Sequence, residues 1–420
     1  MENRNLYLPV ELVNKILLRL PVKSLGRCKC VCKLWCSIIS STCFNFQHQN
    51  HTKDDNTSNL YLILDTPINS VTDPLMRKTV LRFSYDTFEA VQTLYPDPSL
   101  KHPRSGRYFH IEYTCNGLFL FSYFKKPNFI LFLWNPTTGE SKLLPLSSSQ
   151  AQSLAQYRAQ SRAQALKKLK KKITFQNLGF GFDTKTMDYK VVFIHNHKYK
   201  GIDEVVVVVE MYSLKTNSWT TIATHSRKDF QTYAYYDGRA VFSNGVNGML
   251  SWKAMHKEDG DVYDKIISLD LSRETIITTL LPSSISRPHL HRYPDNRSNY
   301  PFLYKESLAL VNYPVVSRSE NRTFEIWVLG EYGVKESWKK LFTIGTLPRR
   351  ISQVLGFWED GKVLVQTYCG TKFSPQTHKA TYVKRLLLFD VLNPTQRLQI
   401  FKGTYTKMFT YRETLVSLKS

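Results

Sequence analysis

Five of the seven cysteines crowd together as Cys28, Cys30, Cys32, Cys36 and Cys43, with His48 and His51 close behind. Such a set could bind zinc, which takes thiolate and imidazole ligands in spaced pairs. The spacing contains no Cys-x-x-Cys pair, and the histidines are not placed as in a zinc finger. Cys28, Cys32 and Cys36 instead fall at i, i+4 and i+8, one helical stripe, and a buried cysteine behaves as a small hydrophobe. Core packing is the favoured reading, and disulfides are disfavoured in a reducing compartment. His195 and His197 would share one strand face as a metal pair, although HNHKYKG reads as a lysine-rich turn. Glu258, Asp259 and Asp261 in KEDGDVYD could hold a cation, but an exposed turn is the commoner use of such residues. GFGF at 179–182 lacks the remaining glycine and the helix of a dinucleotide site. No GxSxG, Walker loop or HExxH occurs. The reading is therefore no catalytic residue, no metal site and no cofactor, and the chain is expected not to be an enzyme.

Periodicity is far more informative in LPVELVNKILLRLPVKSLGRCKCVCKLWCSII, residues 8–39. Pro9 and Glu11 suit the first turn of a helix. Leu12, Val13, Ile16, Leu17 and Leu20 then form one apolar face, and Pro21 stops it. A second apolar series runs through Leu25, Cys28, Cys32, Trp35 and Ile39, so two or three short helices share about thirty residues. A unit this small buries too few side chains to offset the entropy of ordering it. Part of its apolar surface must be completed by the rest of the chain or by a partner.

The pattern LPxELxxxILxRLPVKSLxRxKCVCKxW resembles the F-box, in its plant form. The resemblance implies docking on the Skp-family adaptor of a cullin-RING ubiquitin ligase. Leu8, Pro9, Leu12, Ile16, Leu17, Leu20, Pro21, Leu25, Val31, Cys32 and Trp35 are then expected to form or support the adaptor-facing surface. Leu17→Asp, or Pro9→Ala with Leu20→Ala, is expected to weaken adaptor binding while the β domain stays folded.

After the polar run QHQNHTKDDNTSN the sequence changes character. Short alternating apolar runs separated by turn residues recur as LFLWNPTTGESKLLP, VEMYSLKTNSWTTI, IISLDLSRETIITTLLP, FEIWVLGEYGVKESWKKLFTI and LLLFDVLNPTQRLQIF. Trp134, Tyr212, Leu269, Trp327 and Phe389 mark a repeat of roughly 50–60 residues once one insertion is removed. Each repeat has room for about four strands, the content of a propeller blade, and Leu60–Asp86 is a candidate for one more. The 24 Tyr, 24 Phe and 7 Trp favour β structure. NGLxxF, LWNPTTGExxxLP, GFGFDxxxxDYKVV, YSLKTNSW, SLDLSxE, EIWVLxEYGVKESWxKLF and GFWxDGKVL are similar to the F-box-associated domain of plant F-box proteins. The expected class is α+β multidomain: a small N-terminal α-helical F-box followed by an all-β, propeller-like domain. The expected boundaries are 1–48 for the F-box, 49–59 for a linker and 60–410 for the β domain.

The chain carries 57 basic against 34 acidic residues, a net +23. Residues 147–172, SSSQAQSLAQYRAQSRAQALKKLKKK, contain no acid and read as a basic helical insertion, most simply a solvated one. Within it Lys167, Lys168, Lys170, Lys171 and Lys172 could serve as a nuclear-import signal. VVVVV at 205–209 is too short to span a membrane, and the N-terminus lacks a signal-peptide core. Nucleus, cytoplasm or both are the expected compartments. The F-box resemblance implies a substrate-recognition subunit whose partners are the Skp-family adaptor, through it cullin, and a target protein. The positive charge suggests an acidic target. A nucleic-acid-binding propeller, or an F-box propeller protein that does not drive degradation, is the alternative; nucleic acid and membrane are the less favoured partners.

Overall fold

The computed structural model describes residues 8–54, 60–65, 80–84, 90–94, 110–125, 128–152, 155, 171–199, 205–226, 231–232, 241–243, 248–258, 261–286, 300–312, 324–344, 351–359, 361–374, 379–391, 397–402 and 407–419. The chain divides into two compact units, one holding residues 1–125, 129–144 and 409–420, the other 126–128 and 145–408.

The first unit begins with four helices: α1 (Val10–Leu18), α2 (Val22–Cys28), α3 (Lys33–Ser40) and α4 (Thr42–Asp54). Pro9 and Pro21 occupy the N-cap positions of α1 and α2, where a missing N–H costs nothing. Cys32 caps α3, its Sγ accepting from the Trp35 backbone N–H at 3.4 Å. The expected single cysteine stripe is therefore broken. Cys28 belongs to α2 and packs against the helical core, whereas Cys30, Cys32 and Cys43 are exposed. The spacing misled because a turn at residues 29–32 resets the helical phase.

The expected linker from residue 49 also differs. Helix α4 continues through Asp54, and its polar residues are used rather than solvated. Asn45 Nδ2 donates to the carbonyls of Ile39 (2.8 Å) and Ser41 (2.9 Å). His48 Nε2 donates to the Leu20 carbonyl at 2.8 Å, and Gln49 Nε2 to the Asn116 carbonyl at 2.9 Å. A helix without a marked apolar stripe is thus held by two side-chain amides, an imidazole and the buried ring of Phe44.

Two sheets complete this unit. The first has the order β25-β1-β2-β3, with β1 (Leu60–Asp65), β2 (Val80–Ser84), β3 (Ala90–Leu94) and β25 (Lys407–Arg412), so the last described strand pairs with the first. The second runs β4 (His110–Cys115), β5 (Leu118–Lys125), β6 (Asn128–Trp134) and β7 (Ser141–Leu143). Asn116 and Gly117 form the two-residue turn between β4 and β5, both at positive φ. A Cβ on Gly117 would lie 2.5 Å from the Arg412 carbonyl oxygen, so only glycine fits. The core of the second sheet is aromatic: Phe119, Phe121, Phe132 and Trp134 pack with Ile111 and with Tyr411 from β25.

The second unit holds four sheets. The third sheet has β8 (Lys171–Asp183), β9 (Asp188–Tyr199), β10 (Val205–Ser213) and β11 (Ser218–Ser226). In the fourth, β12 (Gln231–Thr232) and β13 (Val241–Ser243) both pair with β14 (Met249–Glu258), followed by β15 (Asp261–Asp270) and β16 (Thr275–Leu280). The fifth has β17 (Tyr300–Tyr304), β18 (Ser307–Asn312), β19 (Phe324–Leu329) and β20 (Trp338–Ile344). The sixth has β21 (Ile351–Glu359), β22 (Lys362–Ser374), β23 (Lys379–Asp390) and β24 (Arg397–Lys402). Trp134, Tyr212, Leu269, Trp327 and Phe389 all lie on the third strand of their sheets, β6, β10, β15, β19 and β23. The protein is a small helical domain followed by an all-β propeller.

Two local devices recur. Indole N–H groups reach beyond their own sheet: Trp219 to the Pro145 carbonyl (2.7 Å), Trp252 to Leu178 (2.9 Å) and Trp338 to Leu280 (3.2 Å). Each satisfies a buried or half-buried donor while packing a large ring. A five-residue turn also repeats. Asn135, Asp183 and Asp270 accept from the backbone N–H two residues on, and the fifth residue takes a left-handed conformation. That fifth residue is Gly139, Met187 or Glu274, and Asn217 stands at the same place after Ser213.

The basic insertion is corrected at both ends. Its first residues are not solvated: Ser147, Ser149 and Gln150 are buried, and residues 148–152 form a helical turn. Gln150 N–H donates to Ser147 Oγ and Ser147 N–H to Gln150 Oε1, a reciprocal cap. At the other end Lys171 and Lys172 open β8, opposite Tyr199 and Lys198 of β9. Lys167, Lys168 and Lys170 lie outside the described residues.

Candidate functional site

Helix α1 is apolar on more of its circumference than its own core requires. Val13 and Leu17 point inward and are buried, while Val10, Leu12 and Ile16 are exposed. The helical core consists of Val13, Leu17, Leu25, Ile39, Phe44 and Leu415, edged by Leu18, Leu20, Val22, Cys28, Trp35 and Ile38. It is therefore complete without the outward residues. Leu8 before α1 is 57% exposed and Val31 before α3 is 63% exposed; Leu34 in α3 is exposed as well. Among the described residues, six of the nine exposed large hydrophobics fall between Leu8 and Leu34. An uncovered concentration of this kind marks a protein-binding surface, because water contact with so much hydrocarbon is unfavourable.

The eleven residues expected at the adaptor surface accordingly separate. Leu8, Pro9, Leu12, Ile16, Pro21, Val31 and Cys32 are exposed; Leu20 and Trp35 are half-buried against the core; Leu17 and Leu25 are buried. Leu17 and Leu25 support the face from beneath it. Leu17→Asp would place a charge in the core and unfold the helices, so it does not report on the contact surface as expected. Val10 and Leu34, both exposed, were not among the expected residues. Val10 stands three residues before Val13 and seven before Leu17, in line with the buried stripe, so helical spacing alone places it inward and does not reveal its exposure.

The candidate chemical groups of the β domain are otherwise engaged. His195 lies in strand β9, not in a turn, and is buried. Its Nε2 donates to Glu210 Oε2 at 2.8 Å, and the same oxygen accepts from Ser147 Oγ at 2.7 Å. Glu210 Oε1 accepts from the Ser149 N–H at 3.3 Å. Burial disfavours the Glu210 carboxylate, but the bonds from His195, Ser147 and Ser149 outweigh it and hold its pKa below the ordinary range. The carboxylate stands between the hydroxyl and the imidazole, so this histidine does not activate that serine. The group instead fixes the start of the 147–172 segment to β9 and β10. His197 sits two residues along β9, opposite Val206. Glu258 and Asp261 face each other at the end of the β14–β15 hairpin, where Asp261 is exposed. No group of three His, Cys, Asp or Glu side chains comes together among the described residues in a way that could hold a metal ion.

Short helices with exposed apolar side chains, followed by six antiparallel sheets, make a helical docking module joined to a β-propeller. The profile of the F-box domain matches residues 6–47, and that of the F-box associated beta propeller domain matches residues 74–415. The chain belongs to the F-box-associated β-propeller family of F-box proteins. Similar proteins of Arabidopsis thaliana include an F-box/kelch-repeat protein, 27% identical over 80% of this chain and 79% of the relative. The F-box protein CPR1 is 25% identical over 80% of this chain and 73% of its own length. F-box and propeller proteins of this kind are typically non-catalytic substrate receptors of Skp–cullin–F-box ligases.

Proposed function

We propose that this chain is the substrate-recognition subunit of a Skp–cullin–F-box ubiquitin ligase. The observation that carries the reading is the exposure of six large apolar side chains in the helical segment, Leu8, Val10, Leu12, Ile16, Val31 and Leu34, beside a core that is complete without them; Leu12 and Ile16 lie one turn apart on α1. An adaptor covering them gains about 1–2 kcal/mol for each side chain taken from water. The propeller then holds a target protein near the ubiquitin-loaded enzyme. Its contribution to the reaction is proximity, which raises the effective concentration of target lysines without supplying a reactive group. The target is proposed to be acidic, on the strength of the net +23 charge. Nucleus and cytoplasm are the proposed sites of action.

The test is adaptor binding by the full chain, wild type beside Leu12→Asp and Ile16→Asp. Both residues are exposed, so the variants remain folded while a docked interface would have to bury an unpaired carboxylate. The expected loss is on the order of 100-fold or more, since burying such a group costs several kcal/mol. Undiminished binding by both variants refutes the docking face. Adaptor binding without ubiquitin transfer to any co-purified protein refutes the degradative role and favours a non-degradative receptor.

A further inference from the structure

Resting on the docking role of α1–α3, we propose that residues Thr414–Leu418 act as a latch that makes adaptor binding conditional on completion of the first sheet. These residues follow β25 directly. In sequence β25 comes after every other described strand, yet it pairs with β1 in the first sheet. The residues beyond it reach the helices. Leu415 is buried in the same core as Val13, Leu17, Leu25, Ile39 and Phe44.

The polar contacts of the segment are divided between two neighbours. On the helical side, Asn45 Oδ1 accepts from the Leu415 N–H at 2.9 Å and from Thr414 Oγ1 at 3.3 Å. The Nδ2 of the same amide is already committed to the carbonyls of Ile39 and Ser41, which fixes the side chain in place. On the sheet side, Asn135 Nδ2 donates to the carbonyls of Thr414 (3.1 Å) and Val416 (2.8 Å). Glu140 Oε2 accepts from the Leu418 N–H at 2.7 Å and from Ser417 Oγ at 3.0 Å. Thr137 Oγ1 accepts from the Thr414 N–H at 3.2 Å and contacts the Tyr411 hydroxyl of β25. Asn45, Thr414, Val416 and Asn135 are all buried.

The bonds on the sheet side run to the β6–β7 turn of the second sheet, and it is chain continuity with β25 that ties the latch to the first sheet. The helical core in turn needs the latch for one of its six buried side chains. Without it, Asn45 loses two partners and the core opens beneath the docking face, so the helices lose the rigid base on which Leu12 and Ile16 are presented. A chain whose first sheet is unfinished presents no competent face to the adaptor. Coupling of this kind is reciprocal: adaptor binding must in turn stabilise β25 and the segment after it.

The experiment follows amide hydrogen exchange and adaptor affinity in the full chain, in Leu415→Ala, in Asn45→Ala and in a variant ending at Glu413. The expected result is faster exchange throughout α1–α4 in all three variants, with exchange in the third to sixth sheets unchanged in the two substitutions. Adaptor affinity is expected to fall about tenfold or more, the order that a leucine truncation in a small core imposes on the folded fraction. Adaptor added to wild type is expected to slow exchange in residues 407–418. If the shortened chain fails to fold, the two single substitutions decide alone. Wild-type exchange in α1–α4 of both substitutions overturns the latch. Absence of adaptor binding by wild type overturns the docking role, and exchange in α1–α4 still decides whether the latch holds the helices.

Discussion

Substituting Asp183 by Asn should cost the β domain far more than the loss of one hydrogen bond. Asp183 is fully buried at the end of β8. Its Oδ1 accepts from the Lys185 N–H at 3.0 Å and from Ser272 Oγ at 2.6 Å; Oδ2 accepts from Thr186 Oγ1 at 2.7 Å and pairs with Lys190 Nζ at 2.9 Å. Burial opposes the charged carboxylate, but the side chains of Ser272, Thr186 and Lys190 and the Lys185 N–H overcome it and hold the pKa at about 2, from an ordinary 3.8. That difference corresponds to about 2–3 kcal/mol of stability. Because the folded carboxyl titrates below its unfolded value, the contribution is complete above about pH 4 and is lost as pH falls towards 2. The substitution does more than titration, because it leaves the Lys190 ammonium almost buried. What the ammonium loses is the full opposing charge at 2.9 Å; besides residue 183 its partners are the Leu271 carbonyl at 2.7 Å and the Glu274 carboxylate at 3.8 Å. Breaking a buried pair from one side costs about 3–5 kcal/mol.

The assay is native-state hydrogen exchange at β8 and β9 in Asp183→Asn, Lys190→Met and the double variant. Each single change should lower local stability by about 3 kcal/mol or more, and the double variant should lose clearly less than their sum. Strict additivity, or single changes within about 0.5 kcal/mol of wild type, would refute the buried pair as a coupled unit.

Other expectations follow from the same geometry. Gly139→Ala should cost about 1–2 kcal/mol by chemical denaturation, because φ is 71° there and a Cβ meets nothing within 4 Å, leaving only the left-handed backbone penalty. Gly139→Asn should recover part of that loss. Leu17→Ala, fully buried, should destabilise α1–α4 by about 2–5 kcal/mol in hydrogen exchange, whereas Val31→Ala, exposed, should leave them within about 0.5 kcal/mol. His48 is held below its ordinary pKa by burial, aided by the charge of His51, against the bond to the Leu20 carbonyl. Its folded pKa lies below its unfolded value, so its contribution is present above about pH 6.5 and falls away at lower pH. Exchange in α1–α4 should therefore quicken towards pH 5 once the intrinsic rate is removed, and His48→Gln should flatten that dependence.

Much of this fold is legible in the sequence where local chemistry decides it. The Pro9 and Pro21 starts, the apolar series of α1 and the hairpins around Trp134, Tyr212 and Trp327 are all set by neighbours within a few residues. Which apolar residues face inward is not local. Ile16 and Leu17 are adjacent and equally apolar; Leu17 is buried because Leu25, Ile39 and Leu415 meet it, and Leu415 lies some 400 residues away. The cysteine spacing fails for the opposite reason, since a short turn at 29–32 imitates helical continuity. The end of helix α4 from Gln49 reads as linker because it is polar throughout, and the partner of Gln49, the Asn116 carbonyl, lies 67 residues away. The left-handed positions at Met187 and Glu274 are likewise invisible in residues that rarely adopt them.

The uncovered side chains of α1 and α3 also bear on how much free protein a cell can hold. A surface carrying Leu8, Val10, Leu12, Ile16, Val31 and Leu34 favours self-association as concentration rises. Quality-control proteins recognise the same hydrocarbon. On the proposed docking role, the amount of free chain a cell can hold is expected to follow the supply of the partner that covers those side chains. In practice, soluble yield on expression should rise steeply when the adaptor is made in the same cell.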